Sequence, residues 1–264
     1  MPLRSYPHIL TPSPGPKARA IVDRDAQWTS HCYIKEYPLV IARGKGVMVE
    51  DVDGNQYLDF MAGIAVASTG YGHPKVVAAV QEAAANFLHI CGSDFYYEGM
   101  AALCERLARL APGPSKKRVF LTNSGTETVE GAIKLARFST RRTAMIAFHG
   151  AFHGRSVGAV SLTSSKARQH GGFGPLLPDV HHVPYGYHYR CQWCGDNPAC
   201  TMACMDTIEQ KPFTRHLKPN DLPPNILELT QCAGGTHHHP SSHPRAPTAL
   251  CRRPRLPSRL IHIP

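Results

Sequence analysis

Ser124, Gly125 and Thr126 stand where one apolar pattern stops and another starts, and residues of these types at such a break can bind an anion. Residues 118–121 read as a short strand that breaks at Asn123, Ser124 and Gly125. Val129, Ala132, Ile133 and Ala136 then recur at helical spacing and give the following segment one apolar face. Serine at the turn with Glu127 three residues on is a helix-start signature. The first N–H groups of a helix have no partner within it, and they point the same way as the positive end of the helix dipole. Such a terminus suits a phosphate. Most junctions of strand, glycine and helix bind nothing, so the spacing alone leaves both readings open.

The next segment adds chemistry. Residues 143–148 read as a further strand, followed by His149, Gly150, Ala151, Phe152, His153, Gly154 and Arg155. One loop thus carries an aromatic ring, imidazoles and a guanidinium at the end of a neighbouring strand. Ligands of open α/β sheets sit outside the carboxyl ends of the strands. An anion site beside an aromatic plate there suits a flat, phosphorylated ring.

These two motifs together resemble the class III aminotransferases that use pyridoxal 5′-phosphate, and within them the 4-aminobutyrate and acetylornithine branch. The resemblance implies that the backbone of Gly125 and Thr126 holds the cofactor phosphate, with Ser124 flanking. It implies that Phe152 stacks on the pyridine ring with His153 beside it, and that Arg155 receives a substrate carboxylate. It further implies a homodimer acting on a small amino donor and a 2-oxo acid, and the α/β fold-type I architecture of such enzymes. The chain would hold an incomplete large domain with a parallel-rich sheet, together with the N-terminal part of the small domain. The likeness covers roughly residues 30–218.

The elements that must position these residues can be read in order. Residues 1–30 form a proline-rich lead-in with no clear period. In the segment 31–90, Val47, Val49 and Val52 precede an Asp53-Gly54 turn and Tyr57 to Phe60 follow, which predicts a hairpin. His73 and Pro74 start a helix through about Leu88 with Val76, Val77 and Val80 inward, and residues 98–110 form a second amphipathic helix. Residues 51–60 and 70–74 also resemble the N-terminal part of the same family. Alternating helices and strands over 91–218 predict a parallel sheet, the partial cofactor-binding domain.

The rest of the sequence bounds the function. A chain of 264 residues can bury a core. It has no apolar run of membrane-spanning length and no secretory leader pattern, so a cytoplasmic protein with reduced thiols is the expectation for its nine cysteines. Cys191, Cys194, Cys200 and Cys204 could bind zinc, but the pairs are too closely spaced for the usual ribbon or finger, and free thiols are the plainer reading. Residues 219–264 read as a disordered or frame-shifted tail. From Leu229 onward there are five histidines, no acidic residue and five arginines, and the arginines supply half of the net charge of +10. The arginines are not interleaved with aromatics, which argues against a nucleic-acid arm.

Relatives in this family continue with a Glu-Pro strand, an aspartate for the pyridine nitrogen and the lysine that carries the cofactor, and none of these motifs is recognisable here. Lys134 and Lys166 sit in other contexts. Two function classes follow. One is an aminotransferase by descent whose competence is in question. The other is a non-catalytic binding protein that retains the phosphate turn.

Overall fold

In the computed structural model, the described residues are 6–111, 113–187, 189, 191, 226–228, 230–233, 237–238 and 261–262. The chain divides into two compact units, Met1–Ala102 and Leu103–Pro264. The division lies past the expected junction at residue 90.

The first unit is organised by the predicted hairpin. Strands β1 (Ile41–Lys45), β2 (Met48–Asp51) and β3 (Gln56–Leu58) form an antiparallel sheet in that order. Gly54 takes φ of 90° in the turn between β2 and β3, a left-handed conformation that favours glycine. Beneath the turn, Asp51 and Asn55 are buried. The Asn55 side-chain oxygen accepts the N–H groups of Leu10 (2.7 Å) and Thr11 (3.0 Å), and its amide nitrogen donates to Asp51 (2.7 Å) and the Thr11 carbonyl (3.0 Å). Burial pushes the Asp51 carboxyl up, but the donors on Asn55, Asp53 and Tyr57 together hold it below the ordinary value. Asn55→Ala strips four hydrogen bonds from a buried site and leaves partners unpaired. It should lower the stability of this unit by about 3 kcal/mol, read from the urea midpoint at unchanged slope.

The lead-in contains a helix that its sequence did not announce, α1 (Pro16–Trp28), with Ala18 its sole buried residue. Its start comes from a distant residue. The Asp53 carboxylate accepts the N–H groups of Lys17 (3.0 Å) and Ala18 (2.9 Å), satisfying donors that the helix itself leaves free. The predicted helices are present as α2 (Pro74–Asn86) and α3 (Glu98–Leu110), the latter spanning the junction of the units. The expected inward valines are not covered: Val76, Val77 and Val80 are all exposed, as are Leu103, Leu107 and Leu110. Amphipathic spacing creates an apolar face, but a second surface must bury it.

The second unit holds the α/β core. Helix α4 (Gly125–Thr140), strand β4 (Met145–Phe148), helix α5 (Val157–Leu162) and strand β5 (Val180–Val183) follow one another, and β4 and β5 pair in parallel. Strand β4 is buried on both faces, as a parallel strand between layers must be. Val129, Ile133 and Ala136 of α4 pack with Met145, Ala147, Ala159, Leu162 and Ile226. The predicted apolar face of α4 thus points into the core, with Ala132 at its edge.

Two expectations for this unit need correction. Residues 118–121 form no strand, and Phe120 is exposed, because no neighbouring strand among the described residues offers them backbone partners. Part of the supposed tail is structured. Strand β6 (Ile226–Leu227) lies beside β4 with Ile226 fully buried, and pairs with β9 (Ile261–His262). Strand β7 (Thr230–Gln231) pairs with β8 (His237–His238), and Gln231 is buried. Among the cysteines singled out, Cys191 is buried and free, and Cys194, Cys200 and Cys204 lie outside the described residues.

Candidate functional site

Ser124 caps α4 in extended conformation, its hydroxyl accepting the Glu127 N–H at 3.4 Å, while the Glu127 carboxylate reaches back to the Asn123 N–H at 2.7 Å. With the cap engaged in this way, the N–H groups of Gly125 and Thr126 have no partner among the described residues. Gly125 is exposed, and a β-carbon there would meet nothing within 4 Å among the described residues.

The loop after β4 lies against this turn. Ser156 donates its backbone N–H to the Thr126 hydroxyl (3.2 Å), and the two hydroxyls are 2.6 Å apart. Gly154, at φ of 130°, packs so closely that a β-carbon there would lie 2.6 Å from Thr126 Cβ. The turn and the loop therefore meet at Thr126, Gly154 and Ser156, and of the expected site residues only Thr126 lies in this contact.

The side chains of the loop divide. Phe152 is partly exposed, an available plate for an aromatic ring, and Arg155 is exposed with no ion pair among the described residues. His153 is only 3% exposed, and neither ring nitrogen has a hydrogen-bond partner among the described residues. Burial and the neighbouring His182 push its pKa down to about 4, so its imidazole is neutral at pH 7. Its backbone N–H donates to the Thr163 hydroxyl at 3.0 Å, fixing the loop from beneath. His153 acts in this structure as a core residue under the loop.

Three further residues belong to the site. Glu228, at the end of β6, accepts the Phe152 N–H at 3.4 Å, and its second carboxylate oxygen is buried without a partner among the described residues. Burial raises its pKa to about 7 against the lowering by the Phe152 N–H. Tyr185 donates to the Glu228 carbonyl at 3.1 Å, its own pKa pushed up to about 12 by burial and then by the Glu228 charge. Gln231 donates to the His149 carbonyl at 3.0 Å and so holds the start of the loop. The signal for Glu228 was the apolar pair Ile226-Leu227 ending in a glutamate. A strand of two residues in a basic, proline-rich context gives no period to detect. A strand ending in glutamate is therefore present, with Leu229 after it where the family pattern has proline.

The residues present fit the phosphate and ring of pyridoxal 5′-phosphate. Two amides at the N-terminus of a long helix have no partner among the described residues, and a partly exposed phenylalanine stands on the adjoining loop.

Comparison with known proteins gives the family. The sequence model of the aminotransferase class-III family matches residues 32–256. An alanine/serine racemase of Pyrococcus horikoshii is 41% identical over 192 residues, covering 72% of this chain and 40% of that protein. A 4-aminobutyrate aminotransferase of Mycobacterium tuberculosis is 40% identical over 188 residues, covering 71% and 42%. Among solved structures, an (S)-enantioselective ω-transaminase of Thermomicrobium roseum superposes with a TM-score of 0.78 at 27% identity, covering 93% of this chain and 56% of that one. An ornithine aminotransferase of Toxoplasma gondii shares the fold with a TM-score of 0.74 at 24% identity, covering 93% and 52%, and its active site is partly occupied by the cofactor. The chain spans about 40% of the length of these curated relatives. This protein is a member of the class III aminotransferases, a family of enzymes dependent on pyridoxal 5′-phosphate with the α/β fold-type I architecture.

Proposed function

We propose that this chain binds pyridoxal 5′-phosphate at the start of α4 and contributes that site to an aminotransferase. The reaction would move an amino group from a donor such as 4-aminobutyrate or acetylornithine to 2-oxoglutarate. The observation that carries the reading is the pair of free amides on Gly125 and Thr126, held against the loop that presents Phe152 and Arg155. The two amides and the helix dipole would bind the phosphate. Phe152 would orient the ring, and Arg155 would neutralise a substrate carboxylate. The cofactor, when bound, supplies an electron sink that lets a proton leave the carbon bearing the amino group. A homodimer would cover the apolar faces of α2 and α3.

Titrating the purified chain with pyridoxal 5′-phosphate and with pyridoxal tests the site. The phosphorylated compound should bind at least tenfold more tightly, and Phe152→Ala should weaken both by about tenfold. Equal affinity for the two compounds would dispose of the phosphate turn.

A second reading, binding without turnover, is favoured by the placement of Lys134 and Lys166. Both are exposed, and neither makes an ion pair among the described residues. Formation of pyridoxamine phosphate from 4-aminobutyrate by the loaded chain would exclude this reading, and cofactor retention without it would support it.

A further inference from the structure

The family resemblance assigns no role to Glu130, yet its carboxylate joins the phosphate turn to the neighbouring loop and helix. One oxygen, Oε1, accepts the Ser156 hydroxyl (2.6 Å), the Gly158 N–H (2.9 Å) and the Ala159 N–H (3.2 Å). The carboxylate therefore satisfies the free donors at the start of α5 from across the gap, one turn along α4 from Thr126. Gly158 makes this approach possible: a β-carbon there would lie 2.8 Å from the Glu130 carboxyl carbon.

The contact also sets a direction. A carboxylate accepts and does not donate, so the Ser156 hydroxyl spends its proton on Glu130. The Thr126 hydroxyl then donates to the Ser156 oxygen, 2.6 Å away, and accepts the Ser156 N–H in return. Thr126 is thereby clamped by its side chain, which leaves its backbone N–H, with that of Gly125, as the group facing outward.

We infer that Glu130 is a positioning residue for the cofactor phosphate, acting through Ser156 to hold Thr126 and the first turn of α4 in the binding conformation. The inference rests on the phosphate site proposed above and names what keeps that site in shape. It separates two tasks of one carboxylate, capping α5 through Gly158 and Ala159 and clamping Thr126 through Ser156.

Two measurements on the purified 264-residue chain test it. The first needs no ligand: amide hydrogen exchange at residues 125–127 in the wild type, Glu130→Leu, Glu130→Gln and Ser156→Ala. Glu130→Leu should accelerate exchange there by tenfold or more, and also at 157–160. Glu130→Gln keeps an acceptor oxygen and should stay within threefold of wild type. Ser156→Ala leaves the α5 cap intact, so it should accelerate 125–127 while sparing 157–160. It also guards against a Glu130→Leu chain that fails to fold.

The second measurement is affinity for pyridoxal 5′-phosphate against pyridoxal. Glu130→Leu and Ser156→Ala should each lose at least tenfold for the phosphorylated compound and less than twofold for pyridoxal. Unchanged exchange at 125–127 in both variants would overturn the inference and assign Glu130 to capping alone. Accelerated exchange with affinities for both compounds unchanged would overturn it as well. A wild-type chain that does not distinguish the two compounds would instead overturn the proposed phosphate site, with the exchange result still deciding whether Glu130 clamps Thr126.

Discussion

Gly154→Ala is expected to destabilise the second unit by about 4 kcal/mol, the sum of backbone strain and overpacking. Two independent features of the structure combine at this residue. Its φ of 130° lies in a region that a side chain enters only with strain. The added carbon would also lie 2.6 Å from Thr126 Cβ and 3.0 Å from Thr126 Cα. The second contact is with the backbone of α4, which cannot swing aside as a flexible side chain could. The relaxation would open the junction between the loop and the phosphate turn, so cofactor affinity should fall together with stability. Gly125→Ala is the matched control. That position has no positive φ, and a β-carbon there would have no neighbour within 4 Å among the described residues, so the variant's stability should stay within about 1 kcal/mol of wild type. Urea unfolding followed by far-ultraviolet circular dichroism measures both. Equal stability of the two variants would mean that the loop does not press against α4.

The second large effect is a pair of opposed pH dependences. Glu228 has a folded pKa of about 7 against an ordinary 4.5, so the folded state favours its protonated form. That contribution is complete below pH 4.5 and is lost as the pH rises to 7. His153 behaves in the opposite sense. Its folded pKa of about 4, against 6.5, means that the folded state favours the neutral ring. Its contribution is complete above pH 6.5 and is lost as the pH falls to 4.

For the buried imidazole, a pKa of about 4 against 6.5 corresponds to about 3 kcal/mol. Solvent screening of the half-buried Glu228 reduces its share to about 1–2 kcal/mol. Relative to wild type, Glu228→Gln should therefore gain about 1–2 kcal/mol between pH 4.5 and 7. Relative to wild type, His153→Leu should gain about 3 kcal/mol as the pH falls from 6.5 to 4. Urea midpoints across this range read both differences, and the two slopes must have opposite signs. Parallel slopes would mean that one of these groups is solvated in the folded protein.

The parts of the fold legible in the sequence were those governed by local patterns. The Asp53-Gly54 turn with flanking valines specified β2 and β3. The spacing of Val129, Ile133 and Ala136 specified the buried face of α4, and the run at 143–148 specified β4. Each of these signals lies within one element, where side-chain period and turn chemistry act directly. The helix start at Ser124 and the Phe152 loop were legible for the same reason, as two contiguous motifs.

What escaped the sequence depends on groups far apart along the chain. Helix α1 begins where the distant Asp53 satisfies its first donors, so the lead-in carries no cap of its own. Residues 118–121 have strand composition but lack a described strand to pair with. Strand β6 is too short to show a period, and it is fixed by burial of Ile226 against β4 and α4. The valines of α2 have helical spacing, but nothing among the described residues covers them.

At the site, residue types placed a helix-start turn, an aromatic ring and a guanidinium on neighbouring segments, and the family resemblance gave them a phosphate and a ring to hold. Tertiary packing alone decided that His153 is a neutral core residue and that Glu228 lies under Phe152. It also decided that Glu130 and Ser156 clamp Thr126. Local pattern fixes which backbone groups a turn leaves free. Burial and the reach of distant side chains decide which of them remain free, and with what charge beside them.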